Sequence, residues 1–83
     1  MTAISYTVYR LNHPPISGNT TEIQIADKNN PIVLQTGHAP IFALLKEGMI
    51  KVRLEDQSLQ EYSYKEGFFR LERNTCRIHL LNA

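Results

Sequence analysis

The sequence predicts an all-β domain: a small antiparallel β-sandwich, or flattened barrel, of about eight to ten short strands. Apolar and polar residues alternate through most of the chain, which is the period of a strand lying half-buried against a core. Turn-forming clusters break that alternation about every eight to twelve residues, too often for βαβ units. Length adds a third constraint. A chain of 83 residues makes one domain, here expected to span residues 1–83, and it buries only about 60–65% of its unfolded surface.

The elements follow in order. In residues 4–11 (ISYTVYRL) Ile4, Tyr6 and Val8 fall on one face, with Ser5, Thr7 and Tyr9 on the other. Their composition is rich in strand formers. Residues 13–20 (HPPISGNT) read as a punctuated loop. The segment TEIQIA turns Ile23 and Ile25 inward and Glu22 and Gln24 outward, and DKNNP is a turn by composition. IVLQ is a short apolar run leading to the turn TGHAP.

The stretch IFALLKEGMIKVR, residues 41–53, reads two ways. Pro40 suits the first position of a helix and Gly48 the position just past its end, with Ile41, Leu44 and Leu45 sharing a face. The same letters fit a strand, a turn at Lys46-Glu47-Gly48 and a second strand. The all-β surroundings favour the second reading. Ile41, Ala43 and Leu45 then point one way and Phe42, Leu44 and Lys46 the other. A strand apolar on both faces is buried on both, or covers a partner with one.

Beyond it, Ile50, Val52 and Leu54 share a face, and EDQS turns the chain. Tyr62 and Tyr64 stand opposite Glu61 and Ser63, and a second Lys-Glu-Gly at 65–67 reads as another turn. Phe69 pairs with Leu71, Arg73-Asn74 turns, and Cys76, Ile78 and Leu80 align on a last strand.

Composition excludes several functions. Hydrophobic residues are 42% and charged residues 20%, ordinary for a soluble domain. The net charge is +1 with no long charge block, unlike a nucleic-acid or membrane-surface binder. Aromatics (Tyr6, Tyr9, Tyr62, Tyr64, Phe68, Phe69) and cations (Lys51, Arg53, Arg70, Arg73, Arg77) could in principle stack and neutralise a single strand. Most of those aromatics belong to the core instead, so no nucleic-acid partner is expected. The single Cys76 allows no internal disulfide and fits a reducing compartment. No signal peptide opens the chain, and APIFALL is far too short to cross a bilayer. A soluble, cytoplasmic domain is expected.

No catalytic constellation stands out. Cys76 and His79 are three apart, so a strand sends them to opposite faces and no metal site is expected. An inward cysteine is inert. SGNTTE lacks the second glycine and lysine of a phosphate loop. The chain reads as a non-enzyme with no catalytic residues, no cofactor and no metal.

One pattern carries a resemblance. Gly37-His38-Ala39-Pro40, the apolar residues 41–45, Glu47-Gly48 and the hydrophobic-basic residues 49–53 follow one another in that order. This order resembles the N-terminal β-sandwich of the epsilon subunit of F-type ATP synthase, whose mitochondrial counterpart is called delta. ISGNTTEIQIA upstream and EYSYKEGFFRLERNTCRIHLLNA downstream are similar to the family's flanking segments. There are departures. Asn30-Pro31-Ile32-Val33 stands where the family usually has Gly-Glu-Leu/Phe-Gly, and Glu66 replaces the first glycine of a Gly-Gly pair.

The resemblance implies a non-catalytic rotor subunit of the central stalk, linking gamma to the c-ring and coupling ion flow to ATP synthesis. It would sit on the inner face of an energy-transducing membrane, most simply the bacterial plasma membrane, held there only through the complex. Carried over by position, the gamma-facing residues are Arg10, His38, Ile41, Phe42 and Ala43. The ring-facing residues are Lys28, Asn29, Asn30, Pro31 and His38. The C-terminal helical pair of many relatives is expected to be absent, and with it their ATP-responsive inhibition. Without the resemblance, the same apolar strand suits a stand-alone β-sandwich adaptor between proteins.

Overall fold

The computed structural model describes residues 3–82. Seven strands fill most of that span: β1 (Ile4–Arg10), β2 (His13–Thr20), β3 (Glu22–Asp27), β4 (Ile32–Gln35), β5 (Ile41–Arg53), β6 (Leu59–Glu72) and β7 (Thr75–Asn82). They form one sheet in the order β2-β1-β7-β6-β5-β3-β4. Every neighbouring pair is antiparallel except β1 and β7, which run parallel. The all-β class and sandwich form are as expected. The sheet is mixed, however, and its strands are fewer and longer.

The shortfall in strands has one cause. β5 and β6 are 13 and 14 residues long, and each joins two segments that the sequence reads as separate strands. The Lys-Glu-Gly tripeptides at 46–48 and 65–67 are corners inside these strands, not chain reversals. They lie opposite each other, with Lys46 paired to Glu66 and Gly48 to Tyr64. Two successive residues are exposed at each corner, Lys46-Glu47 and Lys65-Glu66. Side-chain phase flips there. In β5 the inward positions are Ile41, Ala43 and Leu45 before the corner, then Ile50 and Val52 after it. In β6 they are Tyr62 and Tyr64 before it, then Phe69 and Leu71.

Glu47 takes the left-handed conformation that the flip requires, with φ 59°. A Cβ on Gly48 would collide with the Ala26 carbonyl oxygen, and one on Gly67 with that of His79. Only glycine lets the neighbouring strands approach so closely. The corners fold the sheet on itself, and side chains from both halves meet in a single core. Phe69, Ile4, Ile23, Ile25, Ile50, Leu71 and Ile78 are fully buried in it. At residues 41–47 the helical alternative is overturned: this segment is strand.

HPPISGNT, expected as a loop, is β2. Its position explains how prolines are tolerated. β2 is an edge strand paired only to β1, so a missing N–H on its open side costs nothing. The register shifts between Val8 and Arg10, where Pro14 and Pro15 oppose the single residue Tyr9, as in a β-bulge. Arg73 and Asn74 both have positive φ, 52° and 57°, and make the two-residue hairpin turn that matches strand twist. Asn74 also ties down the TGHAP loop, its Oδ1 accepting the Gly37 N–H at 3.0 Å.

Candidate functional site

The first layer contains β2, β1, β7, the second half of β6 and the first half of β5. One row of its outward positions carries rings where a solvated strand would carry polar groups. Register lines them up across four strands: Tyr9 pairs with His79, His79 with Phe68, and Phe68 with Leu44. The His79 ring is stacked between Tyr9 and Phe68, with centroids 4.6 Å away on each side and planes 13° apart. Phe42 leans on Phe68 at 5.9 Å. At the β5 end of this row Phe42 is 59% and Leu44 75% exposed. Exposed Leu81 and Leu11 lie at the ends of β7 and β1. A contiguous apolar surface of this kind is the mark of a docking face.

The sequence-predicted gamma-facing residues are only partly brought together. Phe42 belongs to the strip. Ile41 and Ala43 are half-buried and pack against the core beneath it. Arg10 is half-buried at the end of β1, its guanidinium carbon 5.4 Å from the Tyr62 ring centre, and its buried Nε has no hydrogen-bond partner among the described residues. His38 is half-buried within its turn. Its backbone N–H donates to the Gln35 carbonyl at 3.0 Å and its Nδ1 lies 2.7 Å from the Ala39 carbonyl oxygen.

Lys28, Asn29, Asn30 and Pro31 are all exposed in the β3–β4 loop. That loop is anchored at the corner, where the Lys28 N–H donates to the Glu47 carbonyl at 2.9 Å. His38 lies beyond the other end of β4, beside Asn74 through Gly37. The structure therefore does not group His38 with residues 28–31.

Asp27, expected within the DKNNP turn, is the anchor of that loop. Its Oδ1 accepts the Tyr64 hydroxyl at 2.7 Å and the Lys46 N–H at 2.8 Å, and its Oδ2 accepts the Asn29 N–H at 3.2 Å. Burial acts to raise its pKa. The hydrogen bonds from Tyr64 and the backbone outweigh burial and hold the carboxyl below its ordinary range. Tyr64 responds in the other direction, its phenol pushed up by burial and by Asp27. Parity could have exposed this pair: Asp27 continues the inward series of Ile23 and Ile25, and an inward tyrosine needs a polar partner. The strip itself could have been suspected from aromatic residues at outward positions, namely Tyr9, Phe68 and His79.

Cys76 is fully buried, and burial pushes its thiol up to about 12, which leaves it unreactive. Among the described residues no cluster of three or more His, Cys, Asp or Glu side chains is placed to hold a metal. Among the described residues no helix is long and apolar enough to cross a membrane.

A β-sandwich with an unpartnered apolar strip on one outer face has the form of a docking domain. No family model matches the chain. The ATP synthase epsilon chain of Chlorobium limicola is 31% identical to it over 58 residues, which are 70% of this chain and 66% of that protein. Among solved structures, a chain from the cryo-EM structure of the Tetrahymena thermophila mitochondrial ATP synthase central stalk and c-ring superposes with a TM-score of 0.74. That match has 17% identity and covers 94% of this chain and 63% of the other, so it is a likeness of fold. The chain thus spans just under two thirds of the length of both relatives. It belongs to the family of ATP synthase epsilon chains.

Proposed function

We propose that the chain is a non-catalytic rotor subunit of an F-type ATP synthase, packed against gamma and resting on the c-ring. The observation that carries this reading is the strip Tyr9–His79–Phe68 with Phe42 and Leu44 exposed at its end. Covering an exposed Phe or Leu is worth roughly 1.5–3 kcal/mol each, so this face gains most from a partner. Gamma sits on it, with Phe42 inserted, Ile41 and Ala43 supporting it from below, and Arg10 and His38 towards opposite ends. The ring receives Lys28, Asn29, Asn30 and Pro31. Because His38 and residues 28–31 flank β4 at opposite ends, His38 goes with gamma and not with the ring. Such a part couples ion translocation to ATP synthesis by staying rigid, at the inner face of the energy-transducing membrane and bound there through the complex.

A pull-down with the cognate gamma subunit tests the reading. Wild-type chain retains gamma, and Phe42→Asp loses it while keeping the wild-type melting profile, because Phe42 is largely outside the core. Failure of the wild-type chain to retain gamma rejects the proposal.

A further inference from the structure

The apolar strip has a charged neighbour on the same outer face. One row along, Thr7 pairs with Arg77, Arg77 with Arg70, and Arg70 with Phe42. Arg70 and Arg77 are exposed and directly opposite on adjacent strands. Like charges so placed destabilise a sheet. Arg73 lies in the turn of the same hairpin. An open groove is lined by Arg70, Glu72, Arg73, Thr75 and Arg77. It runs into a second groove, lined by Pro40, Ile41, Phe42, Arg70, Leu71 and Glu72. The two share Arg70 and Glu72, so the cationic groove is continuous with the apolar end of the strip.

Counter-charge is scarce there. Glu72 approaches Arg70 at 3.5 Å, with the two side chains 55% and 67% exposed, which makes it a weak, solvent-screened pair. Among the described residues no carboxylate lies within salt-bridge reach of Arg73 or Arg77. Three guanidiniums and one carboxylate leave a local excess of two positive charges, on a chain whose total is +1. Within the domain the arrangement is unfavourable. An external anion reverses that sign, since a carboxylate between two guanidiniums makes paired, charge-assisted hydrogen bonds to both.

We propose that Arg70 and Arg77, with Arg73, form the rim of the docking face, and that the partner protein seats a carboxylate side chain between Arg70 and Arg77. This rests on the gamma-docking reading above. An apolar centre edged by complementary charge gives a partner its orientation and speeds its approach. The other outer margin of the strip, at Lys46 and Glu66, pairs opposite charges across the strands and has no such demand.

The test measures binding of the full chain to its cognate gamma subunit at about 50 mM and about 300 mM salt, which span the range from long to short screening length. Arg70→Glu/Arg77→Glu weakens binding about 10–100-fold, mainly through slower association, and reverses the sign of its salt dependence, because salt then screens a repulsion. Arg70→Lys/Arg77→Lys keeps the salt dependence. Arg77→Glu alone turns a repelling cross-strand pair into an attracting one, so the isolated domain melts about 1–5 °C higher even as it binds gamma more weakly. A purely structural role would move stability and binding together. If the double Glu variant binds with wild-type affinity and salt slope while Phe42→Asp abolishes binding, the arginine rim is wrong and the docking face stands. If wild-type chain does not bind gamma, both are wrong.

Discussion

The two outer faces of this sandwich are built from the same two long strands and share one core, yet they present opposite chemistry. Before its corner, β5 turns Phe42 and Leu44 outward; after it, the outward residues are Met49, Lys51 and Arg53. The first layer shows a column of stacked rings. The second shows a closed polar network centred on Glu22, whose Oε2 accepts from Gln24 Nε2 at 2.7 Å and Arg53 Nη2 at 3.1 Å, and whose Oε1 accepts from Gln35 Nε2 at 3.2 Å. Inward residues are mostly aliphatic and aromatic, the buried polar exceptions being Thr20 and Asp27. Fold stability therefore depends on the inward letters, and the outward letters are free to specify one face that seeks a partner and one that water satisfies. The corner is what divides them.

The most disruptive change is the one that removes the corner. Gly48→Val places a branched side chain against the Ala26 carbonyl and within 2.9 Å of the Asp27 Cα and 2.8 Å of the Tyr64 hydroxyl. Backbone cannot yield as a flexible side chain can. A loss of about 3 kcal/mol or more is expected, read from a denaturant titration, and both faces should be lost together. A variant that remains as stable as wild type would show that the corner is not a fixed feature.

Asp27→Ala acts on the same place with less force. It strands the Tyr64 hydroxyl and the Lys46 and Asn29 N–H groups, and buried donors without acceptors cost about 1–3 kcal/mol. The pH dependence carries a sign. The folded pKa of Asp27 is lowered, so its contribution is fully present above the unfolded value of about 3.9 and disappears as pH falls through the folded value. Melting temperature should therefore drop on acidification below about pH 4, and Asp27→Asn should flatten that drop. A variant whose melting point falls with acid as steeply as wild type would remove Asp27 from this role.

The inward half of this architecture was legible in the sequence, and the reason is periodicity. A residue's side of a strand depends on its neighbours two positions away, so Ile4, Tyr6 and Val8, or Cys76, Ile78 and Leu80, declare themselves locally; all six are buried. The corners were not legible, because Lys-Glu-Gly has the same composition whether it reverses a chain or bends a strand. β2 was missed because the tolerance of Pro14 and Pro15 depends on an edge position that only the assembled sheet creates. The outward parity of the rings hinted at the column, but its full length was hidden for a related reason. Phe68 and His79 face each other across the β6–β7 hairpin, but Tyr9 joins them only because β1 pairs parallel to β7, a long-range contact no local pattern announces. Of the candidate site, Phe42 and the exposed loop 28–31 could be read from position, but not the separation of His38 from that loop.

The smallest expected effect sharpens the contrast between the faces. Glu22 gains hydrogen bonds from Gln24, Gln35 and Arg53, which hold its carboxyl below the ordinary range. Its ion pair with Arg53 is nevertheless partly exposed, at 19% and 30%, and exposed pairs are worth about 0–1 kcal/mol after solvent screening. Glu22→Ala should thus shift the denaturation midpoint only slightly and leave gamma binding unchanged. Phe42→Asp should also spare the fold, since the ring is mostly solvated, yet abolish binding. Two outward substitutions of similar structural cost would then differ only in function. If Glu22→Ala weakened gamma binding as strongly as Phe42→Asp does, the division of labour between the faces would be refuted, and the polar layer would have to be counted as part of the interface.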